Sequence, residues 1–151
     1  MSLAEGGQAS GGLLIPAELG PPDEVYLDDR IPGGLVTLVY RASADLPPVG
    51  QTDVGALVGQ FSGRTQRDFL HKIVLEGATV EAVDVGRVRG YWISGGPHAL
   101  VYLDASGEMR WETFRLAGDA LVFTRGTQTV RLETGLSKDE AVALAESLEP
   151  R

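Results

Sequence analysis

His71 and His98 are the two histidines of the chain, and there is no cysteine. These facts bound most of the chemistry available near neutral pH. No H-x-x-x-H or H-E-x-x-H spacing exists, and thiolate ligands are absent, so no metal ligand is assigned. His71 lies beside Lys72 and reads as a solvated position. His98 follows Gly95-Gly96-Pro97, near Tyr91 and Trp92. Two readings stand for it: a hydrogen bond bracing a hairpin turn, or the base of a hydrolase paired with a nearby carboxylate. Ser62-Gly63 and Ser94-Gly95 do not fall in a G-x-S-x-G elbow. Asp28-Asp29, Glu108 and Glu112 sit in turn-like or strand-like stretches where carboxylates are ordinarily solvated. Gly33-Gly34 and Gly95-Gly96 are turn glycines, since no phosphate-loop pattern leads from a strand into a helix. No catalytic residue and no cofactor follow from these patterns.

The denser signal is aromatic. Tyr91, Trp92, Tyr102, Trp111, Phe114 and Phe123 all fall on strand-like stretches. Residues of one parity on neighbouring strands meet across a sheet, so Trp92, Trp111 and Phe123 are candidates for one apolar surface. That surface is either the core under a helix or an open groove for an apolar ligand or a peptide. On the second reading the candidate ligand-binding residues are Trp92, Trp111, Tyr91, His98 and Phe123. Arg87, Arg89 and Tyr91 share the other parity and mark an opposite, more polar face.

Short strands separated by turns must position these residues. Val25-Tyr26-Leu27 and the apolar run Leu35 to Tyr40 flank a turn-rich Asp28 to Gly34 and read as a hairpin. The second of these strands barely alternates and is expected to be covered on both faces. Val54 to Phe61 reads as a strand weakened by Gly55 and Gly59. Thr65 to Val74 reads as a short helix, with Phe69, Leu70 and Ile73 on one side. From Thr79 to Glu133, runs bounded by Gly86, Gly95-Gly96-Pro97, Asp104 to Gly107, Ala117-Gly118-Asp119 and Arg125-Gly126 read as an antiparallel meander. In its last strand Thr127, Thr129, Arg131 and Glu133 alternate with Val130 and Leu132, which predicts one wet face. Ser137 and Glu140 form a capping-box pattern ahead of Ala141, Leu144, Ala145 and Leu148, an apolar stripe at helical spacing closed by Pro150.

The expected fold is therefore α+β: a curved antiparallel sheet with a C-terminal amphipathic helix and a short second helix packed on one face. A length of 151 residues fits one domain. Residues 1–18, opening Met1-Ser2-Leu3 and rich in glycine, read as a flexible linker with residues added in cloning, ahead of a domain spanning 19–149. On that reading the chain is cut from a longer protein. The net charge is −8, with two basic and eight acidic groups in residues 1–63 against nine of each in 64–136. Without a basic cluster, nucleic acid and anionic membrane surfaces are unfavoured partners. No stretch is long and apolar enough to insert in a membrane, and no charged-then-apolar signal-peptide pattern is read in these residues.

Three stretches together resemble a known group. They are Leu19-Gly20-Pro21-Pro22-Asp23-Glu24-Val25-Tyr26-Leu27, Val88 to His98, and Val130-Arg131-Leu132-Glu133 with Ala141 to Leu148. The sequence resembles a bacterial extracytoplasmic domain of unknown function found behind a transmembrane helix in anti-sigma-factor-like proteins. More remotely it is similar to the periplasmic lipoprotein-carrier fold. The resemblance implies a domain on the extracytoplasmic side of a bacterial membrane, tethered in its parent and performing no chemistry. It also implies that the domain binds a protein partner or an apolar small ligand. A lipid or hydrophobic-ligand carrier is the first alternative, and a hydrolase using His98 is the second. No oligomeric state is read from these patterns.

Overall fold

A computed structural model of the chain describes residues 13–30, 33–64, 78–95, 99–104, 106, 108–113 and 119–150. The described residues form mostly antiparallel sheet with one helix. The strands are β1 (Leu14–Pro16), β2 (Glu24–Asp28), β3 (Leu35–Arg41), β4 (Val54–Arg64), β5 (Ala78–Val85), β6 (Val88–Gly95), β7 (Ala99–Asp104), β8 (Met109–Thr113), β9 (Ala120–Arg125), β10 (Gln128–Thr134) and β11 (Leu148–Pro150). The helix, α1, spans Lys138–Glu146. The helix expected over Thr65 to Val74 lies outside the described residues.

An open path of strands, β2-β3-β4-β10-β9-β6-β5, makes the main sheet. Hairpins β2–β3, β5–β6 and β9–β10 follow the local pattern, but β10 pairs with β4 and β9 pairs with β6. The chain therefore does not meander from β5 to β10. The β7–β8 hairpin leaves the path and touches it through Gly63 and Arg64 at the end of β4. Tight turns fix which strands form hairpins, whereas the order of hairpins in the sheet is set by burial across the whole molecule.

One face of the sheet packs beneath α1. Val36, Leu38, Val58, Val130, Leu132, Leu121, Trp92 and Phe123 join Ala141, Leu144, Ala145 and Leu148 in one apolar cluster. Each fully buried Val, Leu or Phe side chain among them contributes roughly 1.5–3 kcal/mol. The capping box starts α1: the Glu140 N–H donates to Ser137 Oγ at 3.3 Å, and the Ser137 N–H donates to Glu140 Oε1 at 3.2 Å. Lys138 Nζ lies 2.9 Å from Glu81 Oε1 and ties the first turn of the helix to β5. The helix ends at Glu146 rather than at Pro150, because the chain turns extended and pairs β11 with β1. Leu148, expected as the last position of the helical stripe, is buried from β11 instead.

Three further expectations differ from the structure. The segment 1–18 is not linker throughout, since Leu13, Leu14 and Ile15 are buried in the core and β1 pairs with the C-terminal β11. The face of β10 bearing Thr129, Arg131 and Glu133 is not wet, because all three are buried. Its neighbours Leu35, Phe61, Ile93, Ala120 and Val122 form a second apolar cluster on that side. Finally, β4 is not a weak edge of the sheet but an interior strand, flanked by both β3 and β10 from Ala56 to Phe61. The strand β3 is covered on both faces, as its barely alternating run predicts.

Candidate functional site

Period-two alternation on β6 sends Trp92 and Tyr91 to opposite faces. Trp92, 6% exposed, sits opposite Leu121 of β9 and Glu81 of β5, on the face covered by α1. Phe123, 3% exposed, lies on that same face opposite Gly90 and Val130. Tyr91 is half-buried on the other face, opposite Ala82 and Val122, and packs against the second apolar cluster. Trp111 belongs to β8, opposite Val101, in the hairpin that does not border β6 or β9. His98 lies outside the described residues. The structure thus brings Trp92 and Phe123 together and assigns Trp111 to a different part of the sheet. Both described members of the pair are walls of the core.

An open cleft does exist, at one end of the sheet. It has a volume of about 440 Å³ and is lined by Val85, Gly86, Arg87, Val88, Phe123, Arg125, Ala145 and Glu146. The volume falls within the usual range of small-ligand sites. Its first wall is the two-residue turn Gly86-Arg87 between Val85 and Val88, which are paired residues; Gly86 has φ of 59°. A left-handed residue at that point lets the turn close without a Cβ clash. The floor is Phe123, brought close to Val85 by the missing side chain at Gly90. A Cβ on Gly90 would lie 3.1 Å from Val85 Cγ2 and 3.2 Å from Phe123 Cβ. The last turn of α1, through Ala145 and Glu146, makes the remaining wall.

The rim of this cleft is charged while its floor is apolar. Arg125 reaches across it, its Nη1 donating to the Leu148 carbonyl at 3.1 Å. Arg87 is exposed and has no ion-pair or hydrogen-bond partner among the described residues. Glu146 supplies one carboxylate, and the C-terminal carbonyls of α1 add a partial negative charge of about half a unit. By contrast, the interstice between α1 and the sheet, lined by Val58, Val130, Leu132 and Leu144 among others, has no room for a water molecule.

Two other polar groupings are held for structural reasons. Arg131 Nε lies 3.6 Å from Glu133 Oε1, with both side chains almost completely buried on β10. Gly59, directly opposite Arg131 on β4, leaves the guanidinium its space. At the far edge, Arg41 donates to Glu24 Oε1 at 2.6 Å and to Asp53 Oδ1 at 2.9 Å, and Tyr26 Oη donates to Glu24 Oε2 at 2.8 Å. Tyr40 is buried with its hydroxyl donating to the Gly20 carbonyl, and burial pushes its pKa up. Among the described residues, no group of three or more histidines and carboxylates is placed to hold a metal ion.

Phe123 was legible in the sequence, but the cleft around it was not. A signal was present: Gly86-Arg87 and Arg125-Gly126 are both turns pairing a glycine with an arginine. Only the adjacency of β6 and β9 brings the two turns to one end of the sheet. Compared with protein-family models, curated proteins and solved structures, the chain matches none.

Proposed function

We propose that this chain is a non-catalytic binding domain of a membrane-anchored, anti-sigma-like regulatory protein, working on the extracytoplasmic side of a bacterial membrane. The observation that carries the binding reading is the open cleft of about 440 Å³ with an apolar floor at Val85, Val88 and Phe123. A ligand seated there touches the β5–β6 turn, the end of β9 and the last turn of α1 together. Occupancy therefore alters how the helix end sits on the sheet, which is the means of signalling to a neighbouring protein. The resemblance of Leu19 to Leu148 to domains behind a transmembrane helix supports the location and the tether. This reading keeps the curved sheet and the second short helix over Thr65 to Val74 as its finer fold.

A closed carrier of lipid is the less favoured alternative, because the space beneath α1 is filled. The test uses the full chain and a neutral apolar fluorophore, N-phenyl-1-naphthylamine. Saturable binding at one site, abolished in Val88→Glu with the fold retained by circular dichroism, is the expected result. Absence of saturable binding, or binding unaffected by Val88→Glu, rejects the cleft as the working site.

A further inference from the structure

We infer that the occupant of this cleft is a single-chain amphiphile with an anionic head, its head group held by Arg87 and Arg125 and its tail laid on Val85, Val88, Phe123 and Ala145. This rests on the binding reading above and adds the chemistry of the ligand. The chain carries 13 basic against 21 acidic side chains, yet two guanidiniums border this one apolar cleft. One carboxylate, Glu146, opposes them, as do the C-terminal carbonyls of α1. Arg125 already donates to the Leu148 carbonyl at the start of β11, whereas the charge of Arg87 is left over for a ligand. Guanidinium forks pair with carboxylate or phosphate oxygens in bidentate geometry, and the methylenes of a tail leave water where they meet the apolar floor. A neutral or cationic amphiphile gains the second contribution without the first. The cleft is open and of limited volume, which suits one short chain rather than a double-chain lipid.

The experiment is titration of the ¹⁵N-labelled full chain with three ten-carbon probes, each below its micellar concentration: decanoate, decyl maltoside and decyltrimethylammonium. The expected result is that decanoate shifts the amides of Gly86, Arg87, Val88, Phe123 and Ala145 in a saturable way. Affinity for decanoate then drops about tenfold in Arg87→Glu, while decyltrimethylammonium gains affinity in the same variant. Arg87 is exposed and unpaired among the described residues, so its substitution leaves the fold intact. Equal binding of decanoate and decyl maltoside at the cleft, insensitive to Arg87→Glu, overturns the anionic head and leaves the binding reading standing. Failure of all three probes to perturb the cleft overturns both.

Discussion

Gln60 holds Leu14 by both of its backbone polar groups. The Leu14 N–H donates to Gln60 Oε1 at 2.8 Å, and Gln60 Nε2 donates to the Leu14 carbonyl at 2.6 Å. Gln60 is completely buried in the middle of β4, on the face that carries the core. A primary amide presents a donor and an acceptor side by side, so it substitutes for a paired strand at one residue. Among the described strands the short β1 has only β11 as a neighbour, and Gln60 satisfies the backbone groups of Leu14 inside the core. One side chain therefore closes the N-terminal segment onto the sheet and, through β11, joins it to the end of α1.

Gln60→Leu fills similar volume but strands the Leu14 N–H and carbonyl. Buried groups left without partners cost about 1–3 kcal/mol each, so a loss of about 2–4 kcal/mol in urea unfolding is expected. Hydrogen exchange at the Leu14 amide should accelerate more than exchange at Val36 or Leu132. Uniform acceleration across the chain would instead show that β1 opens only with global unfolding.

The buried Arg131 and Glu133 make a contrasting prediction. Removing one member of a buried ion pair leaves the other desolvated and costs about 3–5 kcal/mol, whereas replacing both by apolar residues is often close to neutral. Glu133→Leu should therefore destabilise the chain strongly, and Arg131→Met with Glu133→Leu should recover most of that loss. Denaturant midpoints of the two single variants and the double variant decide it. A double variant as unstable as the sum of the singles would show that each side chain acts through separate partners.

These two cases explain what the sequence could and could not yield. Ser137 and Glu140 revealed the start of α1 because a capping box is local, and tight turns revealed the hairpins for the same reason. The polar alternation of Thr129, Arg131 and Glu133 looked solvated, since nothing within β10 tells that Leu35, Phe61 and Val122 gather on the same side. Gln60 stands in the strand read as weakened by Gly55 and Gly59, and its partner lies 46 positions away. The cleft arises from two turns that become neighbours only when β6 pairs with β9. Strand order is a non-local property, and every feature that depends on it stayed hidden.

Gly55 is required by close approach rather than by a turn. A Cβ built there would lie 2.5 Å from Leu46 Cγ and 3.1 Å from the Leu46 carbonyl oxygen. Leu46 is itself buried, so it has little room to withdraw. Gly55→Ala should destabilise the chain by about 1–3 kcal/mol through overpacking, although alanine ordinarily favours a strand interior over glycine. Pairing it with Leu46→Ala should restore part of the loss in thermal unfolding. No restoration would place the strain at the backbone of Leu46.

The last prediction concerns acid. The hydrogen bond from Tyr26 Oη, and secondly that from Arg41, hold the Glu24 carboxyl below its ordinary pKa of 4.5. A depressed folded-state pKa means that the unfolded chain binds its proton first as pH falls. The contribution of this network is thus fully present above pH 4.5 and is lost as pH drops through the lower folded value. Tyr26 and Glu24 are exposed enough that the effect on stability is small, so the sharper measurement is direct titration of the Glu24 side chain by NMR. Its midpoint should lie below 4.5 in the parent chain and rise in Tyr26→Phe, with a smaller rise in Arg41→Gln. A larger rise in Arg41→Gln would make the guanidinium, not the phenol, the group that keeps Glu24 ionised.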